Sequence, residues 1–196
     1  MINFKTAKTQ RNFEPVPDGL YPLHLTIKPG GTEPDGWGKE SKDGQSIGLD
    51  MEFTVVEGEG AGRKIFSRLT ISGTTSKHEE AAEISKGTLR AILESARGVR
   101  PDDMSDAAIQ ACSVDSYDDM NDLRFLGKVG IQAAQNGYDA KNVLRYVVIP
   151  GMKDWHSIEQ VKAAAASSGN SYAQASAART HEPPAPPAAV SKPSWA

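Results

Sequence analysis

The sequence predicts a mainly β domain with one helical insertion and an unstructured tail. Three observations lead there. Apolar and polar residues alternate on both sides of a glycine-rich stretch. A helical pattern separates the third strand pattern from the fourth. From about Ser167 the composition collapses to Ala, Ser and Pro.

The glycine-rich stretch is EFTVVEGEGAGRKIFSRLTISG, Glu52 to Gly73. Before the glycines, Leu49, Met51, Phe53 and Val55 alternate with Asp50, Glu52 and Thr54. After them, Ile65, Ser67, Leu69 and Ile71 alternate with Phe66, Arg68 and Thr70. Period two on both sides means two strands, each with one buried face. A phosphate-binding loop needs a helix behind its glycines, and a P-loop needs Lys followed by Ser or Thr. Neither is present, so Gly58, Gly60 and Gly62 are expected to form a hairpin connection.

The other elements follow in order. Residues 1–18 form an arm ending in PVPDG. YPLHLTIK is a strand with Tyr21, Leu23, Leu25 and Ile27 on one face and His24, Thr26 and Lys28 on the other. A long polar loop follows, PGGTEPDGWGKESKDGQSIG; loops of that length are usually functional or disordered. Ser76–Glu79 has a capping-box pattern and starts a helix. Gly87 and Thr88 are expected to break or restart it, and Gly98 to cap it. A short helix is expected around Met104–Ala111, within a helical insert over 77–124. LGKVGIQAAQ is a strand with Val129, Ile131 and Ala133 inward, NGYDAKN a turn, and VLRYVVIPG the last strand. A short helix over 156–166 precedes the tail, 167–196, whose apolar content cannot offset its ordering entropy. Five strands with a helix between the third and fourth is the layout of an OB-fold barrel over 19–155. A β-sandwich of equal strand count is the rival.

Composition narrows the function. The formal charge is -3, so there is no overall basic signature of a duplex-DNA binder. Acid concentrates in residues 77–126, which leaves the flanking regions near neutral or slightly basic. With the single cysteine Cys112, no intrachain disulfide can form, which fits a cytoplasmic setting. The start, MINFKTAKTQRNF, lacks a signal peptide's apolar core, and no apolar run reaches membrane-spanning length. The scattered histidines and the single cysteine show no metal-ligand spacing, and no nucleophile motif appears. Asp102-Asp103 and Asp118-Asp119 read as helix-start or loop residues. No catalytic residue, metal or cofactor is expected, and the chain is read as non-enzymatic. A nuclease holding Mg²⁺ in the acidic centre ranks lowest.

OB-folds bind single strands with basic grooves and aromatic platforms. The candidates are Lys28, Trp37, Lys39, Lys42, Arg63, Lys64, Phe66, Arg68, Lys128, Tyr138, Lys141 and Arg145. Phe66 and Arg68, outward on one strand, are the centre of that set. Plainer readings stand beside it. Phe66 packs under the helical insert, Trp37 anchors its loop, and Lys39 and Lys42 are merely solvated. Tyr146 is expected in the core, because Leu144 and Val148 share its face. Asp50 and Glu52 share the exposed face and oppose anion binding unless they pair with Arg68 or that part of the face lies outside the groove.

GLYPLHLTI, the MEFTVVEGEGAGRKIFSRLTI hairpin, TLRAILESARGV and LGKVGIQAAQNGYDAKNVLRYV together resemble a known group, over roughly residues 13–150. The group consists of small phage- and prophage-encoded proteins, first catalogued as a domain of unknown function and regarded as single-stranded-DNA-binding proteins. The resemblance implies an OB-fold, a role in phage DNA replication or recombination, and a place in the bacterial host cytoplasm. It implies no residue roles. One departure is the tail: it ends Lys192-Pro-Ser-Trp-Ala without the acidic run by which many bacterial single-strand binders recruit partners. The tail is a spacer, or else it docks phage or host replication or recombination proteins through Trp195. A homo-oligomer is left open. The alternative function is a structural or protein-interaction β-barrel of a phage, with no nucleic-acid ligand.

Overall fold

The computed structural model describes residues 5–6, 14–32, 36–58, 60–135 and 137–156. The helix expected over 156–166 and the tail fall almost wholly outside them. So does most of the N-terminal arm.

The strands are β1 (Gly19–Lys28), β2 (Lys39–Glu40), β3 (Ser46–Val55), β4 (Lys64–Gly73), β5 (Arg124–Gln132) and β6 (Lys141–Val148). Helix α1 (Ser76–Arg97), helix α2 (Asp106–Ala111) and a 3₁₀ turn at Tyr117–Met120 lie between β4 and β5. All ladders are antiparallel, and the long strands run in the order β4-β3-β1-β5-β6. The two-residue β2, not foreseen in the sequence, pairs with the start of β3 and orders the end of the long polar loop. Among the described residues no ladder joins β4 to β6, so the sheet is not closed by hydrogen bonds.

The core is one face of this sheet with α1 packed against it. Leu23, Leu25 and Ile27 of β1, Met51, Phe53 and Val55 of β3, Ile65 of β4 and Phe125 of β5 are all almost fully buried. From α1, Ala82, Ser85, Leu89, Ile92 and Leu93 recur at helical spacing and face them. The hairpin expectation holds. Gly58 and Gly62 take φ of 88° and 82°, the left-handed region that favours glycine. Gly60 serves differently: a Cβ there would lie 2.4 Å from Val16 Cγ1.

Several local expectations are corrected. Thr75, not Ser76, caps α1, its side chain accepting from the His78 N–H. The helix runs unbroken through Gly87 and Thr88, because burial on either side outweighs one glycine's propensity. Gly98 does end it, at φ 69°. Phe125 rather than Ala133 carries the apolar face of β5; Ala133 is exposed beyond the strand, and Ile131 is half-buried. Tyr146 is not core but half exposed. Lys128 pairs with Tyr146 and Val129 with Leu144, so Arg145 is an extra residue that breaks the alternation of β6.

Gly87 is exposed and a Cβ there would meet no atom within 4 Å. Gly87→Ala is therefore expected to raise stability by about 0.5–1 kcal/mol, through a less disordered unfolded chain. Urea denaturation checks it; a loss of stability would mean that the helix needs the glycine.

Candidate nucleic-acid interface

The solvent face of β1, β3 and β4 is built by register. His24, Thr54 and Lys64 form one row across the strands. Thr26, Glu52 and Phe66 form the next, and Lys28, Asp50 and Arg68 the third. Directly opposed residues share a face, so the period-two pattern places Phe66 and Arg68 outward together. Phe66 is 63% exposed, which decides against its packing beneath the helical insert.

Charges surround the ring. Lys28 Nζ lies 4.9 Å from the Phe66 centroid, within cation–π range. Glu52 lies buried in the same row, its side chain only 8% exposed, and pairs with Lys64 at 2.6 Å and Lys28 at 3.1 Å. The Lys64 hydrogen bond, helped by Lys28, holds the Glu52 carboxyl below its usual range despite burial. Asp50 accepts from Lys39 at 2.9 Å and lies 3.6 Å from the Arg68 guanidinium. Arg68 Nη2 also donates to the Lys39 carbonyl at 2.6 Å. Both carboxylates on this face are thus neutralised in place, by four cations.

Phe66 lines three neighbouring depressions. One, of about 500 Å³, runs along the hairpin past Val16, Arg63 and Lys64. A second, of about 210 Å³, reaches Pro15 and Lys141. The third, of about 330 Å³, reaches Lys28, Asp50 and Arg68. Val16 lines the first and Pro15 the second. Arg63 donates to the Glu14 carbonyl, and the Asn142 amide exchanges two hydrogen bonds of 2.8 Å with the Val16 backbone.

The structure brings Lys28, Arg63, Lys64, Phe66, Arg68 and Lys141 around these depressions, with Lys39 beside Arg68. Tyr138 is exposed and shares a smaller depression with Lys141, next to but separate from those of Phe66. Lys42 is exposed in the turn before β3. Lys128 is half-buried in the β5–β6 ladder, and Arg145 donates to the Ile131 carbonyl at 2.8 Å; neither lines a depression that Phe66 lines. Trp37 is half-buried against the core, as a loop anchor would be.

The chain matches no family model and no curated protein.

The alternation marks Glu52 as an adverse charge or a partner of Arg68; its actual partners are Lys28 and Lys64, and only Asp50 lies near Arg68. The sequence reading missed Asn142 and residues 14–17. The register, once known, carries the signal for Glu52: it stands in the middle row, on the strand between β1 and β4. Nothing local foretells Asn142, whose partner is 126 residues away. The acidic pairs do lie at turns and helix starts. Asp103 accepts from the Ser105 N–H, and Asp119 closes a capping box with Ser116. Among the described residues no group of His, Cys, Asp and Glu could hold a metal ion. Burial pushes the Cys112 thiol above its ordinary pKa, away from nucleophile character. Among the described residues no helix is long and apolar enough to cross a membrane.

Proposed function

We propose that this chain is a non-enzymatic, sequence-independent single-stranded-DNA-binding protein, with the solvent face of β1, β3 and β4 as its platform. The observation that carries this is Phe66: a large aromatic exposed on a strand and ringed by Lys28, Lys64 and Arg68. A base stacks on such a ring whatever its identity, and the cations meet the backbone. The order of strand pairing, with α1 after the third long strand, supports an OB-type barrel whose β4–β6 seam is left open. The resemblance to phage proteins supports a place in phage DNA replication or recombination, in the host cytoplasm.

A labelled oligothymidylate titrated at low and moderate salt tests this. Binding is expected, weaker on duplex, and falling with salt by a log–log slope of about -0.7 per phosphate contact. Flat affinity across salt, or equal preference for duplex, would sink the platform.

A protein-interaction domain is the second reading. Ile84, Tyr146 and Met152 are exposed around a groove of about 360 Å³ beside α1 and β6, which favours it. No oligonucleotide binding at low salt would move the assignment there.

A further inference from the structure

Glu52 sits where a carboxylate should harm an anion-binding face, yet it is buried there. Its strand neighbours explain the geometry. Directly opposite on β4 is Phe66, and directly opposite on β1 is Thr26. Its two partners are diagonal neighbours on opposite sides: Lys28 stands in the Asp50 row of β1, and Lys64 in the Thr54 row of β4. The chain Lys28–Glu52–Lys64 therefore crosses three strands obliquely, with the Phe66 ring beside it.

A lysine ammonium has three N–H donors. One from each goes to Glu52, which leaves two on each for a ligand. Departure of either ammonium leaves the buried carboxylate with one partner, and departure of both leaves it uncompensated, which is costly. Long lysine side chains that would otherwise sample many rotamers are thus fixed before any ligand arrives, which lowers the entropy lost on binding.

We propose that Glu52 is a positioning residue of the single-strand platform: it fixes Lys28 and Lys64 at the Phe66 ring, so that a stacked base finds its flanking phosphates met by preset donors. This rests on the reading of the face as a single-strand platform. It also makes the platform less basic than its lysines suggest. Lys28, Glu52 and Lys64 act as one unit of a single positive charge, so stacking and donor placement carry more of the affinity than charge does.

The test uses the full chain and a fluorescein-labelled oligothymidylate, with Glu52→Asp and Glu52→Gln compared to the unaltered protein. Glu52→Asp keeps the charge but draws the carboxylate back by one methylene, out of reach of holding both ammonium groups. Glu52→Gln removes a negative charge. Charge alone predicts no change for the first and tighter binding for the second. Positioning predicts that both bind more weakly, by roughly tenfold, the size of a lost hydrogen bond to a charged group. It also predicts that the loss shrinks in a Phe66→Ala background, since residues acting as a unit are not additive. Unchanged or tighter binding of Glu52→Asp, with the unaltered chain binding normally, overturns the proposal and leaves the platform standing. Losses that add independently to Phe66→Ala also overturn it, because Glu52 then only supports the fold. No binding by the unaltered chain overturns the platform itself. Should Glu52→Gln fail to fold, Glu52→Asp decides alone, since it keeps the charge that the two lysines need.

Discussion

Phe125→Ala is expected to destabilise the domain by about 3–5 kcal/mol, the usual range for an aromatic removed from a core. Phe125 is wholly buried, and its ring meets Phe53 edge-to-face at 5.6 Å and 80°. The change removes the buried ring area, the aromatic pair and the filling of the space between β3 and β5. Domains are typically stable by only about 5–15 kcal/mol, so the loss is a large share. Chemical denaturation measures it directly. A loss below about 1 kcal/mol would mean that the sheet collapses onto the gap, or that the ring is not central to the core.

Phe66→Ala is the same substitution with the opposite readout. The ring is mostly exposed and lies on the solvent face of β4, so stability should change by no more than about 0.5 kcal/mol. Affinity for an oligothymidylate should fall by about 1–3 kcal/mol, the worth of one base–aromatic stack. That is a factor of roughly 5 to 150 in Kd. The substitution also strips Lys28 of its ring contact, which adds to the loss. An unfolding midpoint that drops as far as for Phe125→Ala would make Phe66 a structural residue. Unchanged affinity in a folded variant would remove the stacking platform.

The contrast between these two phenylalanines shows what local pattern can and cannot reveal. Phe66 was placeable from sequence because its neighbours Ile65 and Ser67 turn inward, and a regular strand gives each residue only two directions. The outward pair of Phe66 and Arg68 followed at once. Tyr146 obeyed the same pattern on paper. The extra residue Arg145 then re-aimed it, and a bulge leaves no mark in the alternation until the partner strand is known. The open seam was equally hidden. Whether β4 and β6 pair depends on segments nearly seventy residues apart, which local periodicity does not register. The continuity of α1 through Gly87 belongs to tertiary packing, and propensity alone favoured a break. Composition left Trp37 open between a binding group and a loop anchor, because its loop is polar while the ring itself finds apolar neighbours.

The missing ladder between β4 and β6 has a consequence for solubility. Strands of ten and eight residues face each other without pairing, and an unpaired strand is a template on which another chain can add. Fibrous polymerisation is the usual outcome when such a margin is flat and apolar. Here the margins carry cations: Lys64 and Arg68 on one, Lys141 and Arg145 on the other, all exposed. The bulge at Arg145 also twists the second margin away from a straight register. Charged side chains along an edge strand oppose the addition of a second copy. A change that neutralises these cations weakens that protection.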